Sequence, residues 1–238
     1  MQDKSKSTSP AGPAGDPPTS RDVEEKLRAR VSAASAGSTE LWGAQWQLMR
    51  FLSMTGQFSE SFSILETLLN TTSNPETRAE IVLATGQTFE HAGDFQSAIA
   101  AYSRGVALEP VGERVWYLLH NNLGYSLNQV GRASEAEGWC RAAIQINPLR
   151  HNAHKNLGVA CQAQSRYAEA ARSFIEAVRR EARDPRALRH LEALVKDHPE
   201  IATEIPDIGA QVAKCVEAVR AAYNMMRAEP PPDAPKSG

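Results

Sequence analysis

The chain has 238 residues, 42% of them hydrophobic and 23% charged, which is enough apolar material for a sizeable core. A formal net charge of −2 provides no global basic field of the kind that draws nucleic acid, so no nucleic-acid partner is expected. Three widely spaced cysteines, Cys140, Cys161 and Cys215, argue against a disulfide framework and for buried thiols in a reducing compartment.

The first stretch, MQDKSKSTSPAGPAGDPPTS, is rich in Ser, Pro and Gly. It lacks the apolar side chains needed to offset the entropy of ordering. It also lacks the apolar centre of a secretory signal. Residues 1–37 therefore read as a mostly disordered tail. At most a weak helix lies over 21–34, where Val23, Leu27 and Val31 form a thin stripe. No run of about 18 apolar residues follows, so no membrane partner is expected and the chain reads as cytoplasmic.

From residue 40 onward, apolar residues recur at three and four, the helical spacing. Turn signals punctuate them at Gly56, Asn74-Pro75, Gly93-Asp94, Pro110, Gly131, Asn147-Pro148 and Asp184-Pro185. No useful period-two run appears, so the fold class is all-α. At least eight helices are expected between residues 40 and 228, in antiparallel pairs.

The order within these helices is periodic. Asn122-Leu123-Gly124 returns as Asn156-Leu157-Gly158, an offset of 156 − 122 = 34 residues. Counting from Tyr117, Leu123 and Gly124 fall at seven and eight, Gly131 at fifteen, Ala136 at twenty, Ala143 at twenty-seven and Pro148 at thirty-two. Counting from His151 gives Leu157, Gly158, Ser165, Ala170 and Ala177 in phase, and from Ala79, Gly86, Gly93, Ala98, Tyr102 and Gly105. A weaker copy starts near Trp42. Small residues at eight, twenty and twenty-seven let two antiparallel helices approach, large ones between them fill the seams, and Gly at fifteen makes the turn. A fixed period of this size marks a stacked array.

Residues 38–184 thus form four helix pairs, and residues 185–228 follow as capping helices. The last of these places Ile208, Val212, Cys215, Val216, Val219, Tyr223 and Met226 on one face, with Asp207 as N-cap. Residues 229–238, EPPPDAPKSG, read as a second disordered tail.

Phosphate-binding glycine loops, zinc-protease helices and nucleophile elbows have no match in the chain. His151 and His154 share a metal-like spacing, but a tight site needs three or four converging ligands. No metal, cofactor or catalytic residue is expected. Cys140 sits at a seam-filling position and reads as core.

The pattern resembles the tetratricopeptide repeat (TPR) family over about residues 42–184. That resemblance implies a helical-hairpin solenoid and a non-enzymatic adaptor or scaffold, holding a segment of a partner protein in a concave groove. An accessory subunit or dedicated secretion chaperone is the alternative. In the family the first helix of each pair lines the groove through positions two, five, nine and twelve, with six alongside. Carried onto this chain, the groove is lined by Leu83, Gln87 and Glu90, then Asn121, Asn122, Tyr125 and Asn128, then Asn152, Lys155, Asn156 and Gln162. Asn122 and Asn156 either satisfy neighbouring helix backbone or grip a peptide. The helix after residue 184 starts at Pro185 or Leu188, and both registers put Arg189 and Lys196 on the groove face. Lys155, Arg189 and Lys196 would favour an acidic or carboxylate-bearing segment at that end, and Glu80 and Glu90 a neutral or basic one at the other. The oligomeric state is left open.

Overall fold

A computed structural model describes residues 19–228; the two tails expected at residues 1–18 and 229–238 lie outside the described residues. Twelve helices and no strand occur among the described residues. They are α1 Ser20–Ala33, α2 Thr39–Met54, α3 Phe58–Asn70, α4 Pro75–His91, α5 Phe95–Val106, α6 Glu113–Gln129, α7 Ala133–Ile146, α8 His151–Ala163, α9 Tyr167–Arg180, α10 Arg186–Asp197, α11 Ile201–Glu204 and α12 Ile208–Ala228.

Local chemistry sets the helix starts. Ser38, Asn74 and Asp94 each accept the backbone N–H three residues on, at 3.0 Å, and Pro75 opens α4 where its missing N–H costs nothing. The carboxylate of Glu76 takes the backbone N–H groups of Val111 and Gly112, at 2.9 and 3.2 Å. This bond anchors the loop before α6, which begins one turn earlier than the repeat count from Tyr117. Asp207 precedes α12, but its carboxylate accepts the Gln211 side-chain amide at 3.0 Å instead of capping a backbone N–H.

Four antiparallel pairs, α2–α3, α4–α5, α6–α7 and α8–α9, stack in order, and α2, α4, α6 and α8 touch in succession as the inner row. The small residues act as their spacing predicts. A Cβ on Gly158 would lie 2.5 Å from the ring of Phe174, so only glycine lets α8 and α9 close. Between the two helices of the first three pairs, Gly56, Gly93 and Gly131 adopt positive φ of 82°, 77° and 77°. Ser165 occupies that place in the fourth pair at φ 60°, a conformation costly for a residue with a Cβ.

The core runs along the array as clusters between successive helices. Tyr102, Leu119 and Leu123 are fully buried near the middle, and Phe174, Ile175 and Leu191 near the C-terminal end. Cys140 and Cys161 belong to this core, and burial pushes the Cys140 thiol up to about 12. α12 lays Ile208 and Cys215 against α9 and α10, with Val212, Val216 and Val219 beside them. Its cap face is shorter than the sequence stripe. Tyr223 and Met226 remain 56% and 46% exposed, because the helix outruns the surface it covers.

α1 occupies part of the stretch assigned to the N-terminal tail. None of its residues is buried. Polar contacts hold it instead: Arg28 reaches both oxygens of Glu60 at 2.6 and 2.7 Å, and Glu24 accepts from Gln57 at 3.0 Å. Apolar periodicity carries no sign of such contacts.

Candidate functional site

Near the N-terminal end, α2, α4 and α6 border an open pocket of roughly 400 Å³, lined in part by Arg50, Ser53, Gln87, Glu90, His91 and Asn122. Ser53 and His91 are hydrogen-bonded at 2.8 Å. Glu90 is half-buried, accepts from the Ser126 hydroxyl at 2.9 Å and stands beside Tyr102. Burial pushes its carboxyl up to about 7, against the opposing pull of those hydroxyls. Glu80, one repeat back from Arg114, is tied to that guanidinium at 2.5 Å. Leu83, expected in the groove, is a core residue at 4% exposure, packed in the cluster of Tyr102 and Leu119.

The middle of the inner row is an amide chain. Asn156 donates to Asn121 at 3.1 Å, Asn121 to Asn122 at 2.9 Å, and Asn122 to the Tyr102 hydroxyl at 3.4 Å. Asn128 donates to the backbone carbonyl of Asn156 at 2.9 Å, while its own Oδ1 is buried without a partner among the described residues. Asn121 and Asn156 are buried, so these amides wire α6 to α8. Asn122 and Asn128 stay partly exposed.

At the C-terminal end the field turns positive. Arg186 donates to Asn152 at 3.4 Å, the equivalent residue one repeat back, which sets the register of α10 at a start on Pro185. Arg186, Arg189, His190 and Ala193 then line an open pocket of roughly 200 Å³. Lys155 is 8% exposed, its ammonium 5.8 Å over the Tyr125 ring, and it makes no ion pair among the described residues. Burial, and next Arg186, hold its pKa below the ordinary value. Asp184, the nearby carboxylate, is taken by Arg186 at 2.6 Å and His151 at 3.0 Å, and Arg186 holds it well below the usual range. His190 stacks on Phe174 with centroids 5.1 Å apart, and burial, Lys155 and Arg189 lower its pKa. Gln162 is half-buried; Lys196 is exposed on α10, outside that pocket.

The structure therefore brings Tyr125, Asn152, Lys155 and Arg189 to one end, and Gln87, Glu90 and Asn122 to the other. Arg186 and His190 were missing from the sequence-derived groove. They stand at positions two and six of the register that starts at Pro185, one of the two alternatives the sequence left open. His151 is engaged by Asp184, and His154 Nε2 is 2.9 Å from the Pro148 carbonyl oxygen, so the two do not converge on a common ligand.

With this geometry in place, two family models, both described as tetratricopeptide repeat, match residues 83–151 and residues 153–187. Tetratricopeptide repeat protein 7B of Homo sapiens is 33% identical over 100 residues, 42% of this chain and 11% of that protein. The match thus spans about a tenth of that relative's length. Among solved structures, BtubC (BKLC) from P. vanneervenii superposes with a TM-score of 0.65 at 15% identity, over 92% of this chain and 94% of that one. MamA, residues 41 to the end, from Desulfovibrio magneticus RS-1 superposes at 0.57 and 18% identity, over 74% and 96%. Both likenesses concern the fold. No helix among the described residues is long and apolar enough to cross a membrane.

Proposed function

Since the chain is a tetratricopeptide-repeat protein, we propose that it is a non-enzymatic adaptor whose inner groove holds an extended segment of a partner protein, with an acidic residue or a free C-terminal carboxylate at the α8–α10 end. One observation carries this reading. Lys155 is nearly buried with no carboxylate of its own among the described residues, and it sits beside a pocket edged by Arg186 and Arg189. A buried cation left unpaired is costly, and an incoming carboxylate relieves that cost with charge-assisted hydrogen bonds. Partly open Asn122, Asn128 and Gln162 supply donors and acceptors for the backbone of such a segment. The three buried, unpaired cysteines agree with a cytoplasmic setting.

The test is an array of short peptides with free C-termini, half of them acidic over the last residues, probed with the full chain. Acidic peptides should bind preferentially, and affinity should fall as salt rises. Arg189→Glu, at an exposed position, should weaken them by about tenfold with the melting temperature unchanged. Binding that ignores peptide charge, or that survives Arg189→Glu, removes the basic end from the function.

A further inference from the structure

A second groove lies away from the inner row, between the α9–α10 connection and the outer half of α12. Its volume is roughly 300 Å³. Pro185 and Leu188 form one apolar wall, and Val219, Tyr223 and Met226 the other. Arg183 and Arg220 edge it, and Arg227 lies 5.9 Å from the centre of the Tyr223 ring. None of these three arginines makes an ion pair among the described residues. The carboxylates around them are mostly engaged: Glu176 pairs with Arg179 and Arg180, and Asp184 with Arg186. Glu181 accepts the backbone N–H of Arg183 at 3.0 Å but keeps its charge, so Glu181 and Glu217 on α12 stand against the three arginines. The result is an apolar floor with a net positive rim.

We propose that this groove is a docking site, separate from the inner one, for an amphipathic helix of a partner protein that presents large apolar side chains on one face and Asp or Glu along its flanks. Three observations select that occupant. A helical array ends on an open apolar flank, and α12 covers this one only in part, leaving Tyr223 and Met226 half exposed where a further helix would pack. Residues 1–18 and 229–238 do not supply that apolar face. Residues 229–238 contain no large apolar side chain, and residues 1–18 contain only Met1. A second copy fits poorly too, because a two-fold pairing through α12 sets Arg183, Arg220 and Arg227 of one chain against the same arginines of the other. Acidic flanks supply the charge that a second copy lacks, and large apolar side chains supply the contact that residues 229–238 lack despite Glu229 and Asp233.

The experiment pans the full chain against a displayed library of short amphipathic helices varied in flanking charge. Enriched binders should carry Asp or Glu flanks and weaken as salt rises. They should lose at least about tenfold in affinity on the double change Arg220→Glu and Tyr223→Glu. They should be unaffected by Arg189→Glu, which reports on the inner groove alone. The milder pair Arg220→Gln and Met226→Gln, both at exposed positions, should reproduce the loss in direction and guards against a folding defect. Binders that ignore both pairs of changes, or that show no acidic preference, overturn the proposal. So does a dimer at about 50 µM that the double change dissociates, since the occupant is then a second copy. So does a gain of about tenfold on deleting residues 229–238, since the groove is then filled by the chain's own tail.

Discussion

Replacing Lys155 by methionine should raise stability and lower anion affinity in the same molecule. Lys155 is 8% exposed, faces the Tyr125 ring and lacks an ion-pair partner among the described residues. Methionine keeps the length of the stem and removes the charge. Exchanging a buried, uncompensated ammonium for an apolar side chain is worth about 1–2 kcal/mol. At about 3 °C per kcal/mol for a domain of this size, the melting temperature should rise by about 3–6 °C. The gain has a pH signature. The folded-state pKa of Lys155 lies below its ordinary 10.5, so between the two values the unfolded chain binds more protons than the folded one. The parent's stability therefore rises with pH through that window, and its deficit against Lys155→Met closes on the alkaline side. Binding should move the other way. Losing one charge-assisted hydrogen bond to a carboxylate costs about 1.5–3 kcal/mol, about tenfold to a hundredfold in Kd. Calorimetric melting across pH, with titration of an acidic C-terminal peptide, reads both. A melting temperature that falls shows that the contact over Tyr125 outweighs desolvation. An unchanged Kd shows that the amine does not meet the ligand. Either result refutes the reasoning.

Glu90 titrates about 7 in the folded chain against an ordinary 4.5, so parent stability should decline as pH rises from 4.5 to 7, and Glu90→Gln should flatten that slope and gain about 2 kcal/mol at pH 8 in urea melts. Ser165→Gly relieves the left-handed turn and should stabilise by about 0.5–1 kcal/mol in the same assay. Gly158→Ala drives a methyl into Phe174 and should cost about 1–3 kcal/mol, seen as a lower denaturation midpoint. Deleting residues 206–238 uncovers the flank of α9 and α10 and should cost roughly 5 kcal/mol or bring aggregation, followed by light scattering.

The repeat was legible in the chain because its physics is local. Glycine where two helices touch, glycine where the chain turns and alanine in the seam each answer to a neighbour at a fixed offset, so a 34-residue period exposes them. The array, its pairs and the buried Cys140 follow from counting. What lay beyond counting depends on which side chains meet across the stack. Leu83 and Lys155 both hold groove-facing positions in the periodic count, yet the first is swallowed by the cluster around Tyr102, while the second is buried with its ammonium over Tyr125. Asn121 read as groove-lining and Asn156 as ligand-facing or structural until the structure joined them by a hydrogen bond between α6 and α8. The register of α10 was open by three residues, and the bond between Arg186 and Asn152 closed it, bringing His190 into the basic end. The positive rim beside Tyr223 exists only because α12 runs past the surface it caps, leaving half-exposed the residues that periodicity alone had assigned to a buried face. Periodicity records which residues share a face, whereas burial and charge pairing depend on contacts between helices distant in sequence, and those exist only once the array has closed.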